Sequence, residues 1–120
     1  MKIVYVTLLH SEDQYSAVWR VDTPLNAILR TGLHRAIKLS MDEFVMNTPF
    51  AQETCENADV IVIHRRLVGA VVSAAQRWKA YDKIILLDID FSVSYLNNGM
   101  SSYDFWKRGL MNCAVEKRVF

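Results

Sequence analysis

Hydrophobic and β-branched runs predict strands over residues 2–8, 59–63 and 83–88, and we expect all three to be central strands of one sheet. The run over 83–88 shows no alternation of apolar and polar positions, which predicts a strand that is buried on both faces. Residues 35–39 form a shorter run that predicts a fourth strand. Valine and isoleucine dominate these runs, and both favour extended backbone.

A helix is predicted to begin at Thr23-Pro24. Either Asp22 or Thr23 is expected to be its N-cap, because short polar side chains accept hydrogen bonds from a helix start and proline suits the first helical position. Gly32 then stands where a left-handed residue would end this helix.

Further helices are predicted over residues 67–80, where apolar positions recur at helical spacing, over 49–56, and from Ser101 or Ser102 onward. Strands that alternate with helices pair in parallel through right-handed crossovers. The chain is therefore predicted to be one α/β domain over 1–120, a three-layer Rossmann-like domain with a small, mostly parallel four-stranded sheet.

Composition limits the possible classes of protein. Hydrophobic residues make up 52% and charged residues 22%, and the formal net charge of +1 argues against nucleic-acid binding. The four glycines form no dinucleotide or Walker loop. No apolar run reaches the roughly 18 residues that span a bilayer. Cys55 and Cys113 match no metal spacing, so we expect reduced thiols in a cytoplasmic protein.

Polar residues follow the predicted strands at their carboxyl ends, the edge where open α/β sheets bind ligands. Residues after the first loop are expected to fold over the same crevice. The candidate ligand-binding residues are His10, Arg20, Asp22, His64, Arg65, Arg66, Asp88 and Asp90. Arginine suits phosphate and carboxylate groups, which makes an anion clamp one interpretation. We predict an ion pair that joins one of the aspartates after the last strand to one of the three arginines.

The same residues also have a structural interpretation. The arginines that follow the strand at 59–63 are typical of a polar strand exit, either solvated or ion-paired. Asp88 and Asp90 can cap the next turn and pair with an arginine. Their Asp-x-Asp spacing equally suits a divalent cation, because hard cations prefer carboxylate oxygens. The catalytic residues, if there are any, stay unassigned.

Three blocks of the sequence resemble the amino-terminal domain of two-domain retaining glycosyltransferases. Residues 19–25 (WRVDTPL) with Gly32 are similar to an arginine-bearing loop that leads into a proline-started helix and a glycine turn. Residues 58–65 (ADVIVIHR) resemble an alanine-aspartate, apolar strand and polar-arginine block. Residues 78–90 resemble a helix end and a strand that closes in an acidic pair, and Phe105-Trp106 falls near an often aromatic position.

The resemblance implies an acceptor-side domain that binds an acceptor or a partner and relies on another domain or protein for the donor site. It implies a fragment of such an enzyme or a descendant of one, without catalysis of its own. The chain departs from the family pattern at Phe91, where many members have a second acid, and at Asp82, which replaces a glycine.

Two alternatives remain open. One is a metal-dependent nucleotide-sugar transferase, in which Asp88 and Asp90 hold a divalent cation against the donor diphosphate. The other is a non-catalytic oligomerisation or binding module on the same scaffold.

The last segment holds more large apolar residues than one helix stripe can bury. They are Phe105, Trp106, Leu110, Met111, Val115, Val119 and Phe120. We therefore predict a homodimer through the carboxyl-terminal helix, with at least about 1,000 Å² buried. Trp19, Trp78 and Trp106 are assigned to core or interface packing.

Overall fold

The computed structural model describes residues 1–8, 14–66 and 69–89. Four parallel strands form one sheet in the order β2-β1-β3-β4. The strands are β1 (Lys2–Thr7), β2 (Arg35–Ser40), β3 (Val60–His64) and β4 (Ile84–Asp88). All four predicted strands are confirmed, and so is the Rossmann-like α/β class. Among the described strands, β1 and β3 lie inside this order, as expected for 2–8 and 59–63, and β4 lies at one end of it. The expected burial of 83–88 on both faces is wrong, because Ile84 and Leu86 are 55% and 49% exposed.

Helices cover both faces of the sheet and make the domain three layers thick. They are α1 (Gln14–Ala17), a π-helical turn (Val18–Asp22), α2 (Thr23–Thr31), α3 (Met41–Met46), α4 (Pro49–Glu56) and α5 (Ala70–Ala80). The first three pack on one face, and α3, α4 and α5 pack on the other. The predicted helix over 49–56 is confirmed. The helix predicted over 67–80 is confirmed from residue 70, and residues 67 and 68 lie outside the described part.

The larger core lies between the sheet and the layer of α3, α4 and α5. Alternate strand residues such as Val6, Ile61 and Ile63 point into it, where they meet Phe44 and Trp78. The smaller core, on the other face, holds Tyr5, Ala17 and Val21 as its buried residues. Burial on both faces explains why β1 and β3 are apolar at successive positions.

The helix around Pro24 begins earlier than the sequence predicts. Helical backbone continues from Gln14 through the π-helical turn, and Asp22 has helical dihedral angles with no side-chain capping bond. The prediction of an N-cap at Asp22 or Thr23 is therefore wrong. The Thr23 N–H donates to the Val18 carbonyl in the wider π pattern, and this pattern lets Pro24, which has no N–H, enter a continuing helix. Gly32 ends α2 with φ 67°, as predicted.

The region over residues 40–48 contains a helix that the sequence analysis missed. The Glu43 N–H donates to Ser40 Oγ at 3.2 Å, and Ser40 Oγ donates to the Glu43 carboxylate at 2.8 Å. This Ser-x-x-Glu arrangement is a capping-box signal that starts α3. Asn47 ends that helix in the left-handed conformation.

Trp78 belongs to the core, as predicted, whereas Trp19 is 74% exposed and does not. None of the described helices has the length and apolar character to cross a membrane. Predictions for His10, for Asp90 and for the segment 101–120, including its helix and the homodimer interface, lie outside the described residues.

Candidate functional site

The carboxyl ends of β1 and β3 lie side by side at the topological switch point of the sheet. The chain leaves β1 toward β2 on one side and returns to β3 on the other side of β1. Ligands bind in this crevice in open α/β sheets. Here the strands end in a row of polar residues, because Thr7 pairs with Ser40 and His64 pairs with Asp88 in the strand register.

His64 is the buried centre of this edge, with 2% of its surface exposed. Its Nδ1 lies 3.1 Å from Thr7 Oγ1, and its Nε2 lies 3.0 Å from Ser16 Oγ. A neutral imidazole donates from one ring nitrogen and accepts at the other, so it can satisfy one hydroxyl in each role. His64 therefore joins the ends of β1 and β3 to helix α1.

Arg20 and Asp88 form the second polar contact at this edge. The Arg20 Nε donates to both carboxylate oxygens of Asp88 at 3.0 Å, and Nη2 donates to Oδ1 as well. This confirms the predicted ion pair between Asp88 or Asp90 and one of the three arginines. The pKa of the neighbouring Tyr5 hydroxyl is raised, first by its burial and then by the negative charge of Asp88.

One helical run holds both contacts. Ser16 in α1 and Arg20 in the π-helical turn are four residues apart, so they lie near one face of the run. That run packs on the sheet through Ala17 and Val21, which have the same spacing. The backbone thus carries Ser16 over His64 and Arg20 over Asp88. Both polar contacts join the same covering element to the strand ends.

The remaining predicted residues occupy separate places. Asp22 accepts from Lys38 Nζ of β2 at 2.7 Å and does not join Arg20 and Asp88. The Arg65 N–H donates to the Asp88 carbonyl at 2.8 Å, with φ 63° at Arg65. Arg66 lines a cavity of about 250 Å³ on the face covered by α3 and α5. The predicted cluster is therefore divided between the two faces of the sheet.

Residues other than glycine rarely adopt the left-handed backbone found at Arg65, because a side chain makes that conformation energetically unfavourable. The turn lies directly after β3, at the switch point. Gly69, shortly afterwards, also has positive φ (56°).

Ser16 is the site residue that the sequence analysis missed. The sequence analysis predicts no helix before Thr23-Pro24, although Ala17 and Val21 give the apolar i, i+4 spacing of a helix. With that helix assigned, Ser16 and Arg20 would have been expected on its sheet-facing side.

The metal-binding alternative finds little support in the described geometry. Both carboxylate oxygens of Asp88 accept hydrogen bonds from the positively charged Arg20, which stands where a cation would have to bind. Within the described ranges, no three His, Cys, Asp or Glu side chains are grouped as metal ligands. Asp88 with Arg20 in place therefore does not fit a divalent cation.

The fold and this edge define a small Rossmann-like α/β domain with a polar crevice at the carboxyl ends of its strands. Comparison of the chain with protein-family models, with curated proteins and with solved structures finds no match.

Proposed function

We propose that the chain is a glycosyltransferase-like acceptor-side domain, which binds an acceptor or a partner protein at the carboxyl edge of its sheet and does not transfer a sugar by itself. The main support for the proposal is that the three blocks of sequence that resemble this family come together at the carboxyl edge of the sheet. Each block contributes one residue to this edge, namely Arg20, His64 and Asp88.

The chemistry of the edge favours a hydroxylated ligand with an anionic group. The guanidinium of Arg20 offers donors in a planar fork that matches a carboxylate or phosphate. Asp88 can accept from a ligand hydroxyl once Arg20 turns toward the anion. In the unliganded domain the two side chains neutralise each other, so binding exchanges one ion pair for another.

We propose that the chain alone does not transfer a sugar because, in the family that it resembles, the donor nucleotide sugar binds to another domain. A partner protein or domain would then supply the donor site. The metal-dependent alternative requires Asp88 to release Arg20 and requires Asp90 as a second ligand. It is kept as an outcome of the experiment below.

Calorimetric titration of the full chain separates these possibilities. Glucuronate and glucose 6-phosphate serve as hydroxylated anions, and UDP-glucose with and without Mn²⁺ serves as the donor probe. We expect binding of a hydroxylated anion that is lost in Arg20→Gln and kept in Lys38→Gln, which breaks the exposed pair with Asp22. At 100 times its dissociation constant, such a ligand stabilises the fold by about 2.7 kcal/mol, which a thermal-shift measurement detects.

Binding of UDP-glucose that depends on Mn²⁺ and on Asp88 would instead support the transferase alternative. If no hydroxylated anion binds, or if Arg20→Gln binds one unchanged, the proposed site is wrong.

Two finer proposals accompany this one. We propose a homodimer through the segment 101–120, on the basis of its apolar residues.

We also propose a cytoplasmic location. Cys55 supports it, because it is a free, fully buried thiol whose pKa burial raises to about 11, as expected for a structural cysteine that stays reduced.

A further inference from the structure

A second polar cavity lies at the opposite edge of the sheet, at the amino ends of the strands. It measures about 250 Å³ and is enclosed by the carboxyl ends of α3, α4 and α5. Asn47, Arg77, Trp78 and Tyr81 are among the residues that line it. None of them contributes to the carboxyl edge where Arg20 and Asp88 meet.

Three buried polar atoms at this cavity have no hydrogen-bond partner within the described part of the chain. They are Asn47 Oδ1, Arg77 Nε and Trp78 Nε1. Trp78 is only 4% exposed, so bulk water does not satisfy its indole N–H. Native proteins leave few buried polar atoms unpaired, and each one destabilises the fold. Three such atoms around one cavity are donors and acceptors that a ligand of matching size could pair with.

The positively charged side chains at this cavity contact backbone carbonyls of the surrounding helices. Arg77 Nη2 lies 3.5 Å from the Phe44 carbonyl in α3, and Lys83 Nζ donates to the Glu56 carbonyl at 2.7 Å, at the end of α4. Cations at helix carboxyl ends neutralise the partial negative charge of the unpaired carbonyls there. The Glu56 side chain also lines the cavity. An anion would face this carboxylate and the helix ends, and a cation would face Arg77 and Lys83. The occupant is therefore expected to be neutral.

The donor and acceptor roles of these three atoms further restrict the chemical class of the ligand. Asn47 Nδ2 donates to Gln52 Oε1 at 3.3 Å, which leaves Oδ1 as the acceptor that needs a donor. Arg77 Nε and Trp78 Nε1 are donors that need acceptors. Hydroxyl groups can fill both roles. Tyr81, 68% exposed and in tilted contact with the Trp78 ring, adds an apolar face beside the cavity.

We propose that this cavity binds a neutral polyhydroxylated ring, such as a monosaccharide or a cyclitol. Its volume is below the range of about 300–1,000 Å³ that is typical of drug-sized ligands, which restricts the occupant to roughly one ring. The ring hydroxyls accept from Arg77 Nε and Trp78 Nε1 and donate to Asn47 Oδ1. The site is independent of the function proposed for the carboxyl edge.

The indole N–H of Trp78 gives a direct measurement. In a ¹⁵N–¹H spectrum of the full chain, Trp78→Phe assigns its signal among those of the three tryptophans. The probes are D-glucose, myo-inositol and, as an anion, inorganic phosphate. We expect glucose or inositol to shift the Trp78 signal saturably, while the signal of the exposed Trp19 stays in place.

Two variants connect the shift to the proposed contacts. Asn47→Gly removes Oδ1 and suits the left-handed backbone there (φ 53°), and we expect it to weaken binding roughly tenfold, the loss of about one hydrogen bond. Asp82→Gly is the matched control, because Asp82 is also left-handed (φ 59°) but does not line the cavity. Arg77→Lys keeps the charge and removes Nε, and it provides a second test if Asn47→Gly does not fold.

Each other result overturns the proposal. A Trp78 signal that responds to neither polyol indicates that ordered water alone fills the cavity. A response to phosphate but not to the polyols indicates an anion site. Equal weakening in Asn47→Gly and Asp82→Gly indicates an effect of the backbone and not of Oδ1. Unchanged affinity in both Asn47→Gly and Arg77→Lys places the ligand elsewhere.

Discussion

The Arg20 Nε lies 3.0 Å from both carboxylate oxygens of Asp88, although the two residues are 68 positions apart in the chain. Two features of the backbone make this contact possible. The π-helical turn carries Arg20 over the sheet, and the parallel register places Asp88 beside His64. The covering helix is thereby attached to the carboxyl end of β4.

We predict that Asp88→Asn lowers the free energy of unfolding by about 1 kcal/mol, because the pair is bidentate but partly exposed, so water screens it. Urea denaturation measures the change. Lys38→Gln is the comparison, and the exposed pair that it breaks with Asp22 is expected to contribute less than about 0.5 kcal/mol. Equal losses in the two variants would mean that the Arg20–Asp88 contact has no special structural role.

Thr7→Val is expected to cost about 1–3 kcal/mol of stability. The substitution keeps the shape of a fully buried side chain and leaves His64 Nδ1 without its hydroxyl partner. Thr31→Val removes an exposed hydroxyl that donates to the Ile28 carbonyl and accepts from the Leu33 N–H. Because water can replace both exposed hydrogen bonds, we expect it to change stability by no more than about 0.5 kcal/mol. Comparable urea midpoints for the two variants would contradict a structural role for the His64 contact.

Gly69→Ala is predicted to destabilise the fold more than Gly32→Ala. Neither added methyl group would meet an atom of the described residues within 4 Å, so we attribute the difference to the backbone. Gly32 has left-handed helical angles (φ 67°, ψ −2°), whereas Gly69 (φ 56°, ψ −127°) lies where side chains are rarely tolerated. We expect about 1 kcal/mol for Gly32→Ala and up to about 3 kcal/mol for Gly69→Ala. Thermal unfolding of both variants provides the test, and the reverse order would refute the argument.

Stability is predicted to fall between pH 9 and pH 11 because of Cys55. Burial raises the pKa of its thiol from 9.0 to about 11, against the opposing effect of Arg77 and Lys83. In this window the unfolded thiol loses its proton while the folded thiol keeps it, so rising pH favours unfolding. The contribution is fully present below pH 9, and its loss is on the order of 2–3 kcal/mol.

Denaturation of the wild type and of Cys55→Ala over this pH range checks the prediction. The variant is expected to be less stable at pH 7 because it leaves a small cavity, but its stability should decline less steeply with pH. Parallel pH profiles would show that another group, such as the buried Tyr5 hydroxyl, accounts for the decline.

Sedimentation equilibrium at micromolar concentration tests the proposed homodimer. We expect twice the chain mass for the wild type, and a shift toward the monomer for Trp106→Ala and Leu110→Ala. Leu33→Ala, an exposed residue after α2, is the control and should leave the dimer intact. A monomeric wild type would end the dimer proposal.

The sequence by itself determined where the strands lie along the chain. The run at 59–63 is apolar without alternation, and burial on both faces of a parallel sheet requires that pattern. The run at 83–88 is equally apolar and also forms a strand, although Ile84 and Leu86 on one of its faces are exposed. The local chemistry of Gly32 and Pro49 was equally readable, because caps and helix starts depend on neighbouring residues. The pairing of an aspartate after the last strand with an arginine followed from the convergence of parallel strand ends.

Only the tertiary structure decided which residues meet at that edge. The choice of Arg20 over Arg65 depends on the π-helical turn, whose wider hydrogen bonding around Pro24 has no clear signal in composition. Arg66 is separated from the site because it lies on the face of the sheet that α3 and α5 cover. Asp22 lies on the same turn as Arg20, but it accepts from Lys38 of β2 instead of joining the contact with Asp88. The cavity at the amino edge forms where the ends of three helices meet. Packing between distant segments of the chain brings these ends together, and such packing leaves no local pattern in the sequence.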